Sequence, residues 1–253
     1  MLKVPRRTYP VYINNRNWLT PVIGMVEYLK NLPVEIFIVD NNSSYEPLLN
    51  WYSETDVNVI RLMSNHGWTA PWSQNVILTG HEQVKRYGHP YYISSDSDLD
   101  LSGVPLDVIN VLVEGLKKYP WATKSGLSLE INDLPKDYLD YEITIEWESG
   151  FWHNRLDERF YNSAVGHTFA LYNIYTDTNV GSLCHPAIRS DRPYTAKHLP
   201  WYITKDNITE EAIYCIENAG SLTQLRNPFK PKPVVSWVTE TLEKNRKIRN
   251  VSN

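Results

Sequence analysis

The run Val34-Glu35-Ile36-Phe37-Ile38-Val39, which breaks off into Asp40-Asn41-Asn42-Ser43-Ser44, decides the fold. A continuous β-branched stretch is what a strand covered on both faces requires, and its abrupt polar end marks the edge where ligands of open α/β sheets collect. Working outward, Val11–Asn14 reads as a short strand. Thr20-Pro21 then offers an N-cap and a first-turn proline to a helix with Val22, Ile23, Val26 and Leu29 along one face, closed by Pro33. On the other side come a weaker helix through Leu48 and Tyr52, a strand over 57–62, a helix from about Pro71 to Tyr87, and a strand at Tyr91-Tyr92-Ile93. Three βαβ units in succession predict an α/β fold with a Rossmann-like mixed, mostly parallel sheet flanked by helices.

Further along, Ser102 and Pro105 open a helix whose Val108, Ile109, Leu112, Val113 and Leu116 form an apolar stripe that serves only the core. Strand candidates follow at 122–131 and 167–172. Between them lies a polar, aromatic stretch with Glu142, Glu146, Trp147, Glu148 and Trp152. Periodicity fades past 175, and the segment 185–202, dense in proline, polar and aromatic residues, reads as an active-site loop. One domain over 1–228 is expected, with 8–105 and 106–228 as its two halves, followed by a basic tail at 229–253.

Composition excludes several classes. With 25 Lys and Arg against 29 Asp and Glu, the net charge of −4 argues against a nucleic-acid partner held through phosphates. A 42% hydrophobic share with 21% charged residues suits an ordinary globular core. No apolar run reaches membrane-spanning length, and the opening MLKVPRRTYPVYINN lacks the apolar stretch of a secretory signal, so a cytoplasmic location is expected. Cys184 and Cys215 have neither metal-site spacing nor disulfide density and read as reduced thiols. Aromatic residues make up 12% of the chain, enough to stack on sugars or bases as well as to fill a core.

The chemistry concentrates at Ser94-Ser95-Asp96-Ser97-Asp98-Leu99-Asp100, where three alternate carboxylates follow an apolar strand. Two carboxylates about 4 Å apart repel by about 4 kcal/mol at an effective dielectric of 20, so crowding them calls for a cation between them. Hard oxygen donors in this number suit Mg²⁺ or Mn²⁺, with positions left for substrate phosphates. Competing readings are a calcium loop, which the Leu101 at its glycine position opposes, a solvated acidic turn, and the carboxylate cluster of a hydrolase that uses no nucleotide. The glycine cradles of dinucleotide and P-loop sites are missing, since the first strand runs into Asn14-Asn15-Arg16-Asn17-Trp18 with no glycine before Gly24. A pyrophosphate would have to be held by a cation and side chains.

Four pieces in order carry a resemblance: Tyr12-Ile13-Asn14-Asn15-Arg16, Val39-Asp40-Asn41-Asn42-Ser43-Ser44, Asn65-His66-Gly67 and Ser95-Asp96-Ser97-Asp98, each at a strand's carboxyl end. This order resembles the GT-A glycosyltransferases, especially the family 2-like sugar-nucleotide enzymes, closely over 8–105 and loosely beyond. The resemblance implies a GT-A fold that moves a sugar from a UDP- or GDP-sugar to a hydroxyl of a glycan or lipid-linked acceptor. It implies that Asp40 contacts the base or ribose, that Tyr12, Asn14, Arg16 and Asn65 line the donor pocket, that Asp96 faces the ribose or metal-bound water, and that Asp98 ligates Mn²⁺ or Mg²⁺. By the same resemblance His198 is a late metal ligand. A lone histidine is also commonly a packed residue.

Lys197 and Arg192 are near enough in sequence to His198 to offer positive charge to a leaving diphosphate. An inverting transfer needs a carboxylate base, and Asp191 and Glu148 compete for that role, with Glu146 a further alternative. The tail carries six basic and two acidic residues from Phe229 onward. As an amphipathic helix it suits peripheral contact with an anionic membrane, or packing on its own domain. Two rivals remain: a nucleotidyltransferase that makes sugar nucleotides, and a non-catalytic carbohydrate-binding or scaffold protein whose affinity ignores chelators.

Overall fold

The computed structural model describes residues 8–138, 140–166, 168–176 and 186–219. The expected tail at 229–253, Cys184 and His167 lie outside them. An eight-stranded mixed sheet dominates, in the order β3-β2-β1-β4-β9-β6-β10-β8. Its strands are β1 (Tyr9–Asn15), β2 (Val34–Asp40), β3 (Asn58–Arg61), β4 (Tyr91–Asp96), β6 (Lys124–Gly126), β8 (Phe160–Asn162), β9 (Ala170–Asn173) and β10 (Ala187–Ser190). Four of its seven pairings are parallel. The β4–β9, β9–β6 and β10–β8 pairings are antiparallel. A small sheet of β5 (Leu99–Asp100), β11 (Thr195–His198) and β7 (Ser128–Leu129) lies beside it.

Alternation along the strands gives the large sheet two apolar faces. Val11, Ile13, Ile36, Ile38 and Ile93 pack with the buried sides of α1 (Thr20–Leu29) and α5 (Val108–Lys118), and with Leu48 of α2 (Glu46–Glu54). Tyr12, Val39, Tyr92 and Tyr172 face the other way, against Ala70 and Trp72 of α3 (Ala70–Ser73). Each fully buried aliphatic side chain stabilises the fold by about 1.5–3 kcal/mol. Gly115 lets α5 lie directly on the sheet, since a Cβ there would stand 2.7 Å from the Phe160 ring.

The connection from β1 through α1 runs outward to β2 and then β3, whereas the connection through α3 and α4 (Gly80–Tyr87) returns past β1 to β4. Right-handed crossovers in opposite directions use opposite faces, and the crevice between β1 and β4 is therefore the topological switch point. The helix expected over 71–87 is two helices. Asn75 takes a left-handed φ of 53°, and Thr79 restarts the chain with a capping box to Glu82. The strand expected over 122–131 is likewise split, into β6 and β7, which join different sheets. The expected loop at 185–202 contains β10 and β11, and the aromatic stretch is helix α6 (Tyr141–Ser149).

Candidate functional site

Four strands end level with one another. Asp40 of β2 pairs in register with Asn15 of β1 and Arg61 of β3, and Asn14 pairs with Asp96 of β4. Because paired residues share a face, Asn15, Asp40 and Arg61 project on one side and Asn14 and Asp96 on the other. The loop after β3 is tied to this edge through Gly67, whose φ of 66° favours glycine and whose carbonyl accepts from Asn41 at 2.7 Å and Asn14 at 3.4 Å. Asn65 fixes that turn by accepting the Gly67 N–H at 2.9 Å.

Asp40 is 0% exposed and its carboxylate is fully engaged. Oδ2 accepts from Arg61 Nε and the Ser43 N–H, both at 3.2 Å, and Oδ1 accepts from the Tyr52 hydroxyl at 3.2 Å. That hydroxyl accepts in turn from Asn15 Nδ2 at 2.8 Å, and Asn15 Oδ1 accepts from the Ser97 hydroxyl at 2.7 Å. Burial, then the Asp40 charge, pushes the Tyr52 hydroxyl's pKa far up, so it stays a proton donor. The structure thus places Asp40, expected at the base or ribose, inside a buried hydrogen-bonded network. Its carboxylate is the buried anchor of a chain that ends on the serine between Asp96 and Asp98.

Tyr12 is corrected for a simpler reason: strand alternation turns it into the core, 2% exposed, where it stacks on Phe37 with ring centroids 5.3 Å apart.

Asp96 and Asp98 lie within electrostatic reach of one another. Burial chiefly, and the neighbouring Asp98 charge next, hold the Asp96 carboxyl well above the usual carboxylate range, with a hydrogen bond from Asn14 opposing them. His198 arrives because β11 pairs antiparallel with β5, placing Leu99 opposite His198 and the Leu199 N–H on the Asp98 carbonyl at 2.9 Å. Its Nε2 stands 3.5 Å from Asp98 Oδ2, long for a hydrogen bond and near the roughly 3 Å separation of adjacent ligands on an octahedral ion.

Among the described residues no group of three His, Cys, Asp or Glu side chains is arranged to hold a metal ion. The expected triad of Asp96, Asp98 and His198 is therefore not a closed protein cage. Asp98 Oδ1 and His198 Nδ1, on the other sides of the two groups, are buried without hydrogen-bond partners, and the carboxylate alone is the hard oxygen donor that an Mg²⁺-type ion prefers. Asn14 Oδ1 and Arg16 Nε are the other buried orphans of this edge.

Glu148 and Asp191 have different surroundings. Glu148, on α6, forms a buried ion pair with Arg189 of β10, whose guanidinium also lies over the Phe151 ring at 4.2 Å. Burial raises the Glu148 pKa, while Arg189 and, more weakly, His198 lower it. Asp191 is held instead by Arg155 at 2.7 Å and the Tyr161 hydroxyl at 3.4 Å, and no recorded contact joins it to Asp98 or His198. The two expected phosphate cations are also committed elsewhere. Arg192 makes a double hydrogen bond to Glu130 at 2.8 and 2.7 Å, and Lys197 pairs with Asp133. These pairs stand by a cavity of about 500 Å³ on the outer face of the small sheet.

Sequence reasoning missed the role of helix α7 (Glu210–Glu217). Helix α1 begins after Leu19 without a side-chain cap of its own, and Glu211 supplies one from across the chain, accepting from the Leu19 N–H at 2.5 Å and the Thr20 N–H at 3.0 Å. Tyr214 and Cys215 bond Ser44 and the Asn17 carbonyl, so α7 holds both loops that frame the site. An acidic pair at a helix start carries no sign of its distant partner in the sequence. The chain matches no protein-family model and no curated protein. No described helix is long and apolar enough to cross a membrane.

Proposed function

We propose that this protein is a GT-A-like glycosyltransferase that moves a sugar from a nucleoside-diphosphate donor, a UDP- or GDP-sugar, to a hydroxyl of a glycan or lipid-linked acceptor. The observation that carries the reading is the gathering of Asp96, Asp98 and His198 at the switch point, with buried polar atoms of Asn14, Arg16, Asp98 and His198 lacking partners. Four of the eight such atoms among the described residues belong to this edge, and a site that takes a polar guest is one place where buried polar groups stay unpaired.

Asp98 and His198 would hold Mn²⁺ or Mg²⁺, which when bound neutralises the diphosphate and supports its departure. The crowding of Asp96 against Asp98 favours cation uptake. Tyr52, Asn15 and Ser97 fix the peptide between the two aspartates from beneath. Burial raises the proton affinity of Glu148 and His198 lies within its electrostatic reach, but its carboxylate is paired with Arg189 and would serve as the base only once that pair opened.

The test is thermal unfolding against a panel of sugar nucleotides, with and without Mn²⁺, followed by assay of nucleotide release. A guest bound only by the folded state at a hundred times its Kd adds about 2.7 kcal/mol of stability. The reading requires a shift with one donor that needs Mn²⁺. Glycan binding indifferent to chelator, with no donor response, would replace it with the carbohydrate-binding alternative; pyrophosphate release from a nucleoside triphosphate would replace it with a nucleotidyltransferase.

A further inference from the structure

The small sheet has two unlike faces. Leu99, Leu129 and Ala196 turn into the core, and alternation with the register of the three strands puts Asp100, Ser128, Glu130, Thr195 and Lys197 together on the other face. The cavity of about 500 Å³ opens there. Its size is that of a ligand site, but such sites are usually lined mostly by apolar side chains, whereas every side chain lining this one is polar, Gly103 apart. Its guest must be polar too.

The lining divides into groups that are already engaged and groups that are not. Glu130 is engaged: Oε1 accepts the Ile131 and Asn132 N–H groups at 3.0 and 2.9 Å, and both oxygens meet Arg192. Asp133 accepts from Tyr202 on one oxygen and from Lys197 on the other, which leaves a lone pair on each. Asp100 accepts the Ser102 N–H on Oδ1 at 2.8 Å and pairs with no cation among the described residues. Donors face these acceptors. Lys197 stands opposite Asp100 in register and has N–H groups beyond the one given to Asp133, and the Asn132 amide is exposed at the rim. Ser128, turned to the same side and 1% exposed, keeps its hydroxyl without a partner. A buried orphan on the face of a polar cavity is an independent sign that the face takes a guest.

The charges narrow the class of guest. An anion would meet three carboxylates, and among the described residues no group of three donors is arranged for a metal ion. A hydroxyl donates and accepts through one oxygen, so it can answer a carboxylate and an ammonium at once.

We propose that this cavity binds a neutral saccharide, whose hydroxyls donate to Asp100 and Asp133 and accept from Lys197 and Asn132. Hydrogen bonds to ionised groups are the strong kind, and a pyranose offers several hydroxyls at fixed spacing. Strand β11 lies between this cavity and the Asp98–His198 edge, so the saccharide is held without a metal ion. The site goes beyond the proposed transfer reaction and does not depend on it.

The probes are linear neutral tetrasaccharides of glucose, galactose, mannose and N-acetylglucosamine, titrated calorimetrically into the whole protein in EDTA without nucleotide. The unmodified chain is compared with Asp100→Ala and Asn132→Ala. At least one probe should bind, roughly ten- to hundredfold more weakly in Asp100→Ala, which loses a charged partner, and roughly two- to tenfold more weakly in Asn132→Ala, which loses a neutral one. Exchanging EDTA for Mn²⁺ should change nothing. Binding of no probe, equal affinity in all three chains, or binding that requires Mn²⁺ would each overturn the proposal. If Asp100→Ala does not fold, Asn132→Ala decides alone, and undiminished affinity there overturns it. Sugar nucleotides with Mn²⁺ are run in parallel. A donor response without saccharide binding leaves the glycosyltransferase reading standing and removes this site. Saccharide binding that depends on Asp100 and Asn132, without any donor response, keeps the site and removes that reading.

Discussion

Strand β11 carries Lys197 and His198 to opposite faces, and the two faces could hardly be more different. Outside, Lys197 meets Asp133, Tyr202 donates to the same carboxylate at 2.6 Å, and Arg192 and Glu130 close a second pair. Inside, His198 meets Asp98 at 3.5 Å while Asp98 Oδ1, His198 Nδ1 and Arg16 Nε find nothing. Both sides carry carboxylates, Asp133 and Glu130 outside and Asp98 inside, so acidity alone does not mark a site. What separates them is completion: the outer charges answer one another, and the inner ones keep atoms without partners.

The largest effect should come from breaking the most buried completed pair. Glu148 and Arg189 have side chains only 3% and 4% exposed. Glu148→Ala strands the guanidinium, and loss of one partner of a buried pair costs about 3–5 kcal/mol, read as a shift in the urea midpoint. Replacing both at once, Glu148→Leu with Arg189→Met, should recover most of that. A single variant as stable as the parent would show that the pair is not closed.

Asp98→Asn should do the reverse. Removing one of two crowded charges leaves stability equal or higher, while Mn²⁺-dependent donor affinity falls at least about a hundredfold, roughly 2.7 kcal/mol. The two faces should also answer pH with opposite signs. Asp96 is held above its unfolded value, so its contribution is complete below the usual carboxylate range and is lost as pH rises through its folded pKa. For Asp133 and Glu130 burial alone would raise the pKa, but Lys197 with Tyr202 and Arg192 with backbone N–H groups outweigh it and bring both below the usual range. Their contribution is present above that range and lost as pH falls through it. Stability measured from pH 3 to 8 in Asp96→Asn and in Asp133→Asn should lose one limb each, and Mn²⁺ should flatten only the first.

Between these lies the chain beneath the site. Tyr52→Phe removes the hydroxyl shared by Asp40 and Asn15 and leaves both short of a partner, a loss of about 1–3 kcal/mol by urea unfolding. Because the chain ends on Ser97, donor affinity should fall as well. An affinity unchanged in a destabilised variant would separate the chain from the site.

Legibility in the sequence followed the same division. The βαβ half could be read because Val34–Val39 and the Val22, Val26, Leu29 stripe are long enough for their periods to show. Strands such as Ala187–Ser190 and Thr195–His198 are four residues long, too short for a period, and only their pairing with β6 and β5 makes them strands. The capping box at Thr79 and Glu82, by contrast, was in plain view as a T-x-x-E pattern that marks a helix start, and it would have divided the 71–87 helix. For the site, the positions of Asp96 and Asp98 were legible. The burial of Asp40 was not, because Arg61 and Tyr52, which neutralise and enclose it, reach it only through the register of β2 with β3 and the seating of α2.

The smallest effect belongs to the outer face. Lys197→Met removes a partner of Asp133, but the two side chains are 42% and 46% exposed, so water already screens them. Exposed pairs contribute about 0–1 kcal/mol, and here Tyr202 continues to hold Asp133 after the lysine is gone. The expected change in unfolding free energy is therefore near zero and shrinks further as salt is added, because exposed charges are screened within about a Debye length. Donor affinity should not move at all. A large fall in affinity on Lys197→Met would mean that the outer cavity communicates with the diphosphate through β11, and the division between paired charges outside and unpaired atoms inside would no longer hold.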